Sequence, residues 1–342
     1  MKEIFFIRAN QTKTGGAEVY LERLSKVLDK KNINYQIIYS RFPKFIPSWV
    51  RVLLFNIQVC STKKNRFYFS LERITCPDVY RAGDGVHKVF LKYCHKSIFN
   101  PLHRIYLYIE KRCFNNAKLI IANSKMVKNQ IIKAYGINDS KIHVIYNGIE
   151  ICDFDRNKAF NRLDSLFKLD NHKIILFVGS GFERKGVREF LEIISRLKDY
   201  NIKAIVVGKE KNIKLYYDLA IKLDIGDKVV FTGPREDVSD FYAISDIFVL
   251  PTHYEPFSNV VLEAMAFENI VFTTKQNGAS EILDNKFIMS SPSDYSIVDT
   301  IYNILDNEDY LDRIKSENRK KVRDFTIEKN TVNTLNAIRE FL

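Results

Sequence analysis

The sequence predicts an α/β protein of two Rossmann-like parallel-sheet domains facing a cleft, and three observations carry that expectation. At 342 residues the chain is long enough for two domains. Its second half alternates short β-rich runs with stretches of helical periodicity, the pattern of a parallel sheet with crossover helices. Its first half repeats the pattern less regularly, opening on a strand that leads into a Gly-containing loop and a helix.

Taken in order, EIFFIRA is the first strand, and a helix starts at Ala17. YQIIYS follows as a strand, and further on KLIIANS precedes another helix. HVIYNGIEICDFDR (143–156) ends on a Gly-containing turn after a strand and marks the boundary, giving domains of 1–150 and 151–325. In the second domain the strands are KIILFVG (173–179), KAIVVG (203–208), KVVFTG (228–233), DIFVLPT (246–252) and NIVFTT (269–274). A last helical stretch, roughly 328–341 within residues 326–342, comes after the sheet is complete and is expected to pack back toward the N-terminal domain.

Composition excludes several classes. A hydrophobic fraction of 46% is ordinary for a globular chain. No apolar run reaches the roughly eighteen residues that a membrane span needs. MKEIFFIRANQ reads as a strand and not as a signal peptide. The five cysteines (Cys60, Cys76, Cys94, Cys113, Cys152) are odd in number and lack a C-x-x-C, so the expectation is no disulfide framework, no zinc site and a reducing cytoplasm. The net charge of +12 is uneven. Residues 1–150 hold 26 Lys and Arg against 10 Asp and Glu, whereas the rest hold 27 against 31. A phosphate-bearing partner, nucleic acid or an anionic membrane, fits such an N-terminal half; so does a solvated Lys-rich surface.

Ligands of parallel sheets bind where the carboxyl ends of strands run into helices, and three such loops hold chemistry. In TKTGGAEVYLERL (12–24), Gly15 and Gly16 allow close backbone approach before a helix, a place for a phosphate or simply a tight turn. The spacing is not G-x-G-x-x-G, which argues against nicotinamide and flavin. In FVGSGFERKGV (177–187), Arg184 and Lys185 are expected at the start of a helix, where cations oppose the dipole unless an anion binds. In PTHYEPFSNVVLEAM (251–265), Pro256 holds Glu255 extended and Ser258 or Asn259 can cap the next helix. Glu263 then stands on that helix, with N–H groups near Phe257–Val260 between the two carboxylates. Such a pair can grip two ends of an elongated ligand such as a nucleotide-sugar, since a carboxylate suits a vicinal diol. A glycoside hydrolase also needs two carboxylates but has no use for a cationic Gly loop.

GGAEVYLERL, GSGFERKG and EPFSNVVLEA resemble the family-four retaining glycosyltransferases of the GT-B fold, over about residues 1–325. PDVYRAGDGVHKV, IYLYIEKRCF and FTGPREDVSDFYAISDIFVLPT look most like the lipopolysaccharide-core glucosyltransferases that act on heptose. The resemblance implies that Glu263 holds the ribose, Glu255 the hydroxyls of the transferred sugar, Arg184 and Lys185 the diphosphate, and Gly15–Gly16 the β-phosphate. It places Asp84 on the acceptor side, with His87 as its rival, and makes Asp84, Glu255 and Lys185 the catalytic set. Ser258 replaces a glycine frequent in the family. The base is expected near Gly208 and Pro234–Arg235. UDP is the donor nucleotide by resemblance only. No metal or other cofactor is expected, since no D-x-D or His/carboxylate cluster is present.

Residues 88–112 carry Lys88, Lys92, Lys96, Arg104, Lys111 and Arg112 against Glu110 alone. Helical spacing sets Lys88, Lys92, His95 and Lys96 largely opposite Val86, Val89, Phe90 and Tyr93; Leu102, Ile105, Tyr106 and Ile109 repeat the apolar spacing. The segment 86–112 is expected to lie on anionic lipid, although the same stripes would also suit a domain core. The expected activity is transfer of a hexose, with glucose foremost, from a UDP-sugar to a lipid-linked glycan, by a cytoplasmic protein peripheral to the inner membrane face. The alternatives are a nucleic-acid-binding protein using the basic half and a GT-B epimerase or hydrolase without an acceptor. No nucleic acid is expected as partner.

Overall fold

A computed structural model describes residues 3–11, 15–94, 97, 99–169 and 172–342. The chain forms two compact units, Met1–Glu150 with Thr326–Leu342, and Ile151–Phe325. The first contains β1 (Ile4–Ile7), α1 (Gly16–Lys30), β2 (Tyr35–Ile38), α2 (Ser48–Ser61), β3 (Phe67–Ser70), β4 (Val79–Ala82), α3 (His87–Tyr93), α4 (Pro101–Asn116), β5 (Leu119–Ala122), α5 (Lys125–Tyr135) and β6 (Ile142–Val144). The second contains α6 (Arg156–Phe167), β7 (Lys173–Val178), α7 (Phe182–Lys185), α8 (Val187–Arg196), β8 (Ile202–Val207), α9 (Ile213–Lys222), β9 (Val229–Gly233), α10 (Val238–Ile244), β10 (Ile247–Leu250), α11 (Asn259–Ala266), β11 (Ile270–Thr274), β12 (Ile288–Met289), α12 (Ile297–Leu305) and α13 (Glu308–Lys321).

Each unit is one six-stranded parallel sheet. The orders are β2-β1-β3-β4-β5-β6 and β12-β11-β10-β7-β8-β9. Strands buried on both faces read as unbroken apolar runs: in β7, Ile174 to Val178 are all buried, as is all of β10. Each order contains a point where successive connections leave in opposite directions, between β1 and β3 in the first sheet and between β7 and β10 in the second. At such switch points the flanking loops diverge and open a crevice at the carboxyl ends of the strands.

In the first unit, Ile4, Phe6 and Phe69 pack with Leu21, Leu24 and Leu28 of α1 on one face of the sheet. The C-terminal helix Ile327–Ile338 joins that cluster through Ile327 and Ile338. Its Asn330 accepts from the Tyr20 hydroxyl at 3.0 Å and donates to the Tyr146 carbonyl at 2.6 Å. Phe5, Ile7 and Tyr68 meet Phe55 and Val59 of α2. In the second unit, buried Asp246 ties three elements together. It accepts from the Ile174 N–H and pairs with Lys315 at 2.7 Å and Arg156 at 2.9 Å.

The cysteine expectation is corrected. Cys60, at the end of α2, and Cys76, in the loop after β3, form a disulfide with their Cα atoms 5.8 Å apart. α2 returns its last turn to the start of β3, so two cysteines with no motif spacing become neighbours, and the cysteines no longer argue for a reducing compartment. No helix among the described residues is long and apolar enough to cross a membrane.

Candidate active sites at the two switch points

In the second sheet, the loop after β7 carries Gly179, Ser180 and Gly181 into α7, and Gly186 separates α7 from α8. Gly208 at the end of β8 has φ 154°, and a Cβ there would collide with the Gly179 carbonyl, so this glycine lets the loop lie flat on β8. Gly186 has φ 82°, and a Cβ there would strike the Pro251 carbonyl. The chain therefore breaks at Gly186, and Arg184 and Lys185 end a four-residue helix instead of starting the long one. Lys185 still directly precedes the Gly186 N-cap of α8, so both cations remain near the positive end of that helix and the Glu255 carboxylate offsets the conflict.

What fixes these cations is the loop after β10. The Arg184 carbonyl accepts from the His253 N–H at 2.9 Å and from the Thr252 hydroxyl at 3.0 Å. Glu255 Oε2 lies 2.6 Å from Lys185 Nζ and 2.6 Å from an Arg184 guanidinium nitrogen. Burial alone would raise the Glu255 pKa; Lys185 and Arg184 outweigh it and hold the carboxyl at about 2. Glu255 is locked by backbone as well, its N–H donating to Gln276 and its carbonyl accepting from Gly278.

Ser258 stands at the N-cap of α11, but its side chain makes no capping bond. The buried Asn277 does related work from another loop: its Oδ1 accepts from the N–H groups of Ser258 and Ala279, at 3.2 and 3.1 Å, and its Nδ2 donates to Thr273. The Q-N-G after the β11 run is the signal that points to it. Phe257 and Ser258 are buried, so what they offer a ligand is backbone; Asn259 opens the helix half-buried. Glu263 lies on α11 with the Tyr242 hydroxyl 3.4 Å from its carboxylate. Arg235 is clipped to Asp237 by two bonds of 2.8 and 2.6 Å, so its guanidinium is already engaged beside the end of β9.

In the first sheet, Arg8 follows β1, and its guanidinium lies 2.8 Å from Glu18, 2.8 Å from Glu72 and 4.0 Å from Asp84. These carboxylates come from α1, the loop after β3 and the loop after β4. Burial pushes the Glu72 carboxyl up against the pull of Arg8. Gly15 has φ 143° and lies over the Glu18 carboxylate, so the Gly15–Gly16 turn faces an ion pair at the start of α1. A cavity of about 270 Å³ opens beside this cluster, lined by Asn10, Gln11, Lys44, Arg51, Glu72 and Arg73 among others.

Asp84 is half exposed. His87 is buried at the first turn of α3, its Nε2 3.2 Å from His103 Nδ1. Burial and then the nearby Arg73 lower its pKa to about 4. Its N–H donates at 2.7 Å to Glu110, a fully buried carboxylate that also takes Arg73 and the Tyr135 hydroxyl. Glu110 is thus the anchor of α3 and not part of a charged surface.

The segment 86–112 splits. Val86 is fully buried, Val89 packs on the core and Ile109 is buried on α4, whereas Phe90, Leu102, Ile105 and Tyr106 are half-buried and Tyr93 is exposed. Lys92, Arg104, Lys111 and Arg112 are exposed, and Lys88 donates to the Ala134 carbonyl. His95 and Lys96 lie outside the described residues. Among the described residues, no group of three His, Cys, Asp or Glu is placed to hold a metal.

Residues 161–321 match the family described as Glycosyl transferases group 1, and residues 80–151 match Glycosyltransferase Family 4. The capsular polysaccharide biosynthesis glycosyltransferase CapM of Staphylococcus aureus is 31% identical over 229 residues, 63% of this chain and 60% of that protein. The chain spans about half the length of the curated relatives it matches. WaaG, a glycosyltransferase involved in lipopolysaccharide biosynthesis, has the same fold, with a TM-score of 0.82 at 18% identity over 98% of this chain and 99% of its own. HepE of Anabaena, solved in complex with UDP and glucose, gives 0.74 at 18% identity over 99% and 100%.

Proposed function

We propose that the chain, whose residues 161–321 match the group 1 glycosyltransferases, transfers a hexose, with retention, from a UDP-sugar to a lipid-linked glycan. The observation that carries the reading is the Lys185–Glu255–Arg184 cluster at the switch point of the second sheet. Two cations, backbone N–H groups and a fixed carboxylate in one crevice suit a diphosphate flanked by hydroxyls. Lys185 and Arg184 take the diphosphate, Glu255 the sugar, and Glu263 the ribose. Phe257 and Ser258 contribute backbone, with Asn259 at the start of α11. Gly208 and the Pro234–Arg235 turn lie toward the base, Arg235 there serving to hold the turn.

In this reaction the bond from the sugar C1 to the β-phosphate oxygen breaks and a bond from C1 to the acceptor oxygen forms on the same face. The acceptor proton passes to the departing phosphate. Catalysis is electrostatic: Lys185, Arg184 and the loop dipoles stabilise the charge that develops on the diphosphate. No metal is required. Asp84 positions the acceptor; its exposure beside Arg8 favours it over His87, which is buried. The exposed cations of 86–112 serve an anionic membrane at the cytoplasmic face, and UDP is proposed as the donor nucleotide by analogy with HepE, a protein of the same fold solved with UDP.

The test is a thermal-shift panel of UDP, GDP and UDP-glucose, followed by transfer of labelled sugar to membrane extracts with EDTA present. Ligand at about 100 times its Kd adds roughly 2.7 kcal/mol of stability. Stabilisation by UDP compounds with transfer surviving EDTA supports the reading. No nucleotide response, or transfer restored only by manganese or magnesium, overturns it.

A further inference from the structure

In the basic segment the buried side chains Val86 and Ile109 turn inward and the exposed apolar ones, Tyr93, Phe99 and Tyr108, are scattered over two helices and a loop, whereas α2 beside α4 presents a continuous exposed strip. Of its sequence SWVRVLLFNIQVCS, Phe55 and Val59 are the buried side chains. Trp49 is 44% exposed, Ile57 is 60% exposed, and Phe45 in the loop leading to the helix is 86% exposed. Trp49, Leu53 and Ile57 are four residues apart and so follow one side of the helix, over about 12 Å at 1.5 Å per residue. An exposed strip of this kind marks an interaction surface.

The charge around the strip identifies what covers it. Between Asp29 and Glu72 the sequence holds eight Lys and Arg and no acidic residue. Arg41 and Lys44 are exposed before the helix, and Lys64 and Arg66 after it. On α4, Tyr108 is exposed with Arg112 5.8 Å from its ring, and Arg104 and Lys111 are exposed too. An indole and apolar side chains flanked at both ends by cations, with no carboxylate among them, complement a surface that is apolar within and anionic at its edge.

We propose that α2 lies in the interfacial layer of an anionic bilayer. Phe45, Trp49 and Ile57 insert among the acyl chains; Arg41, Lys44, Lys64 and Arg66 meet the headgroups. This rests on the reading that the acceptor is lipid-borne, and it assigns the main apolar part of the membrane contact to α2.

Trp49 is the only tryptophan in the chain and reports directly on the proposal. The full chain is titrated with vesicles of phosphatidylglycerol and phosphatidylethanolamine while Trp49 fluorescence is followed. The expected result is a blue shift and quenching by acyl-brominated lipid, with neither in pure phosphatidylcholine. The double variant F45S/I57S should lower vesicle partitioning about tenfold or more with an unchanged Tm. Should that variant unfold, quenching of wild-type Trp49 still decides. Vesicle binding with Trp49 unshifted and unquenched overturns the proposal while leaving a lipid-borne acceptor standing. Absence of vesicle binding overturns it too, as does a blue shift that grows with protein concentration without lipid, which would mean a second copy covers the strip.

Discussion

The Glu255 carboxylate and the Lys185 ammonium stand 2.6 Å apart, although 70 positions separate them in sequence. The contact exists because β7 and β10 are adjacent in the sheet, and because Gly186 allows the Lys185 turn to settle against the Pro251 carbonyl. Arg184 shares the same carboxylate oxygen. The cluster therefore holds two cations preformed for an anion and keeps the carboxylate ionised.

A pH effect on stability follows. The Glu255 carboxyl falls from its ordinary 4.5 to about 2, so its contribution is fully present above pH 4.5 and is lost as pH drops toward 2. The amount is on the order of 3 kcal/mol. Glu255→Gln should remove it at neutral pH and flatten the wild-type decline between pH 4.5 and 2, read from chemical denaturation at each pH. Parallel curves for the two proteins in that window would refute the coupling.

Lys185→Ala should weaken UDP and UDP-sugar alike by about 1.5–3 kcal/mol, the worth of a charged hydrogen bond, and leave uridine unchanged. Calorimetric titration of the three ligands separates the cases. An equal loss for uridine would make Lys185 a purely structural residue.

The fold was legible because both sheets are parallel. Strands buried on both faces, such as KIILFVG and DIFVLPT, stand out as apolar runs whatever their neighbours. The two-residue β12 has no such run. The Glu255 and Arg184–Lys185 motifs were legible because each is contiguous. Where the helix breaks was not, since that depends on Gly186 meeting the distant Pro251 carbonyl. The Arg8 cluster draws Glu18, Glu72 and Asp84 from three separate elements, so only sheet order assembles it. The signal available was an arginine at the carboxyl end of an otherwise apolar first strand. Cys60 and Cys76 were missed likewise, since the return of α2 to β3 and not a spacing rule brings them together.

Glu255 and Glu263 should separate in their effects. Glu263→Ala should weaken UDP itself by about 1–3 kcal/mol, the cost of losing a carboxylate that accepts from ribose hydroxyls. Glu255→Gln should leave UDP affinity nearly intact and depress turnover of the sugar donor. Equal loss of UDP affinity in both variants would refute the division of labour.

Asp84 and His87 lie three residues apart and are expected to fail in different ways. Asp84 is half exposed, 4.0 Å from Arg8, and reachable by an acceptor. His87 is buried against His103 and Tyr106. Burial, then Arg73, holds its pKa near 4, so it stays neutral through the physiological range. The sign is that of a suppressed protonation: unfolded His87 takes up its proton near pH 6.5 and the folded residue near 4, so stability is lost as pH falls through that interval. Asp84→Asn should therefore lower kcat at least tenfold with UDP affinity unchanged, since the donor cluster lies in the other unit. His87→Gln should lower the Tm and weaken its dependence on pH between 6.5 and 4, while leaving the shape of the kcat profile between pH 6 and 8 as in the wild type. A kcat limb near pH 6.5 that vanishes in His87→Gln and persists in Asp84→Asn would reverse the assignment and make His87 the acceptor-side group.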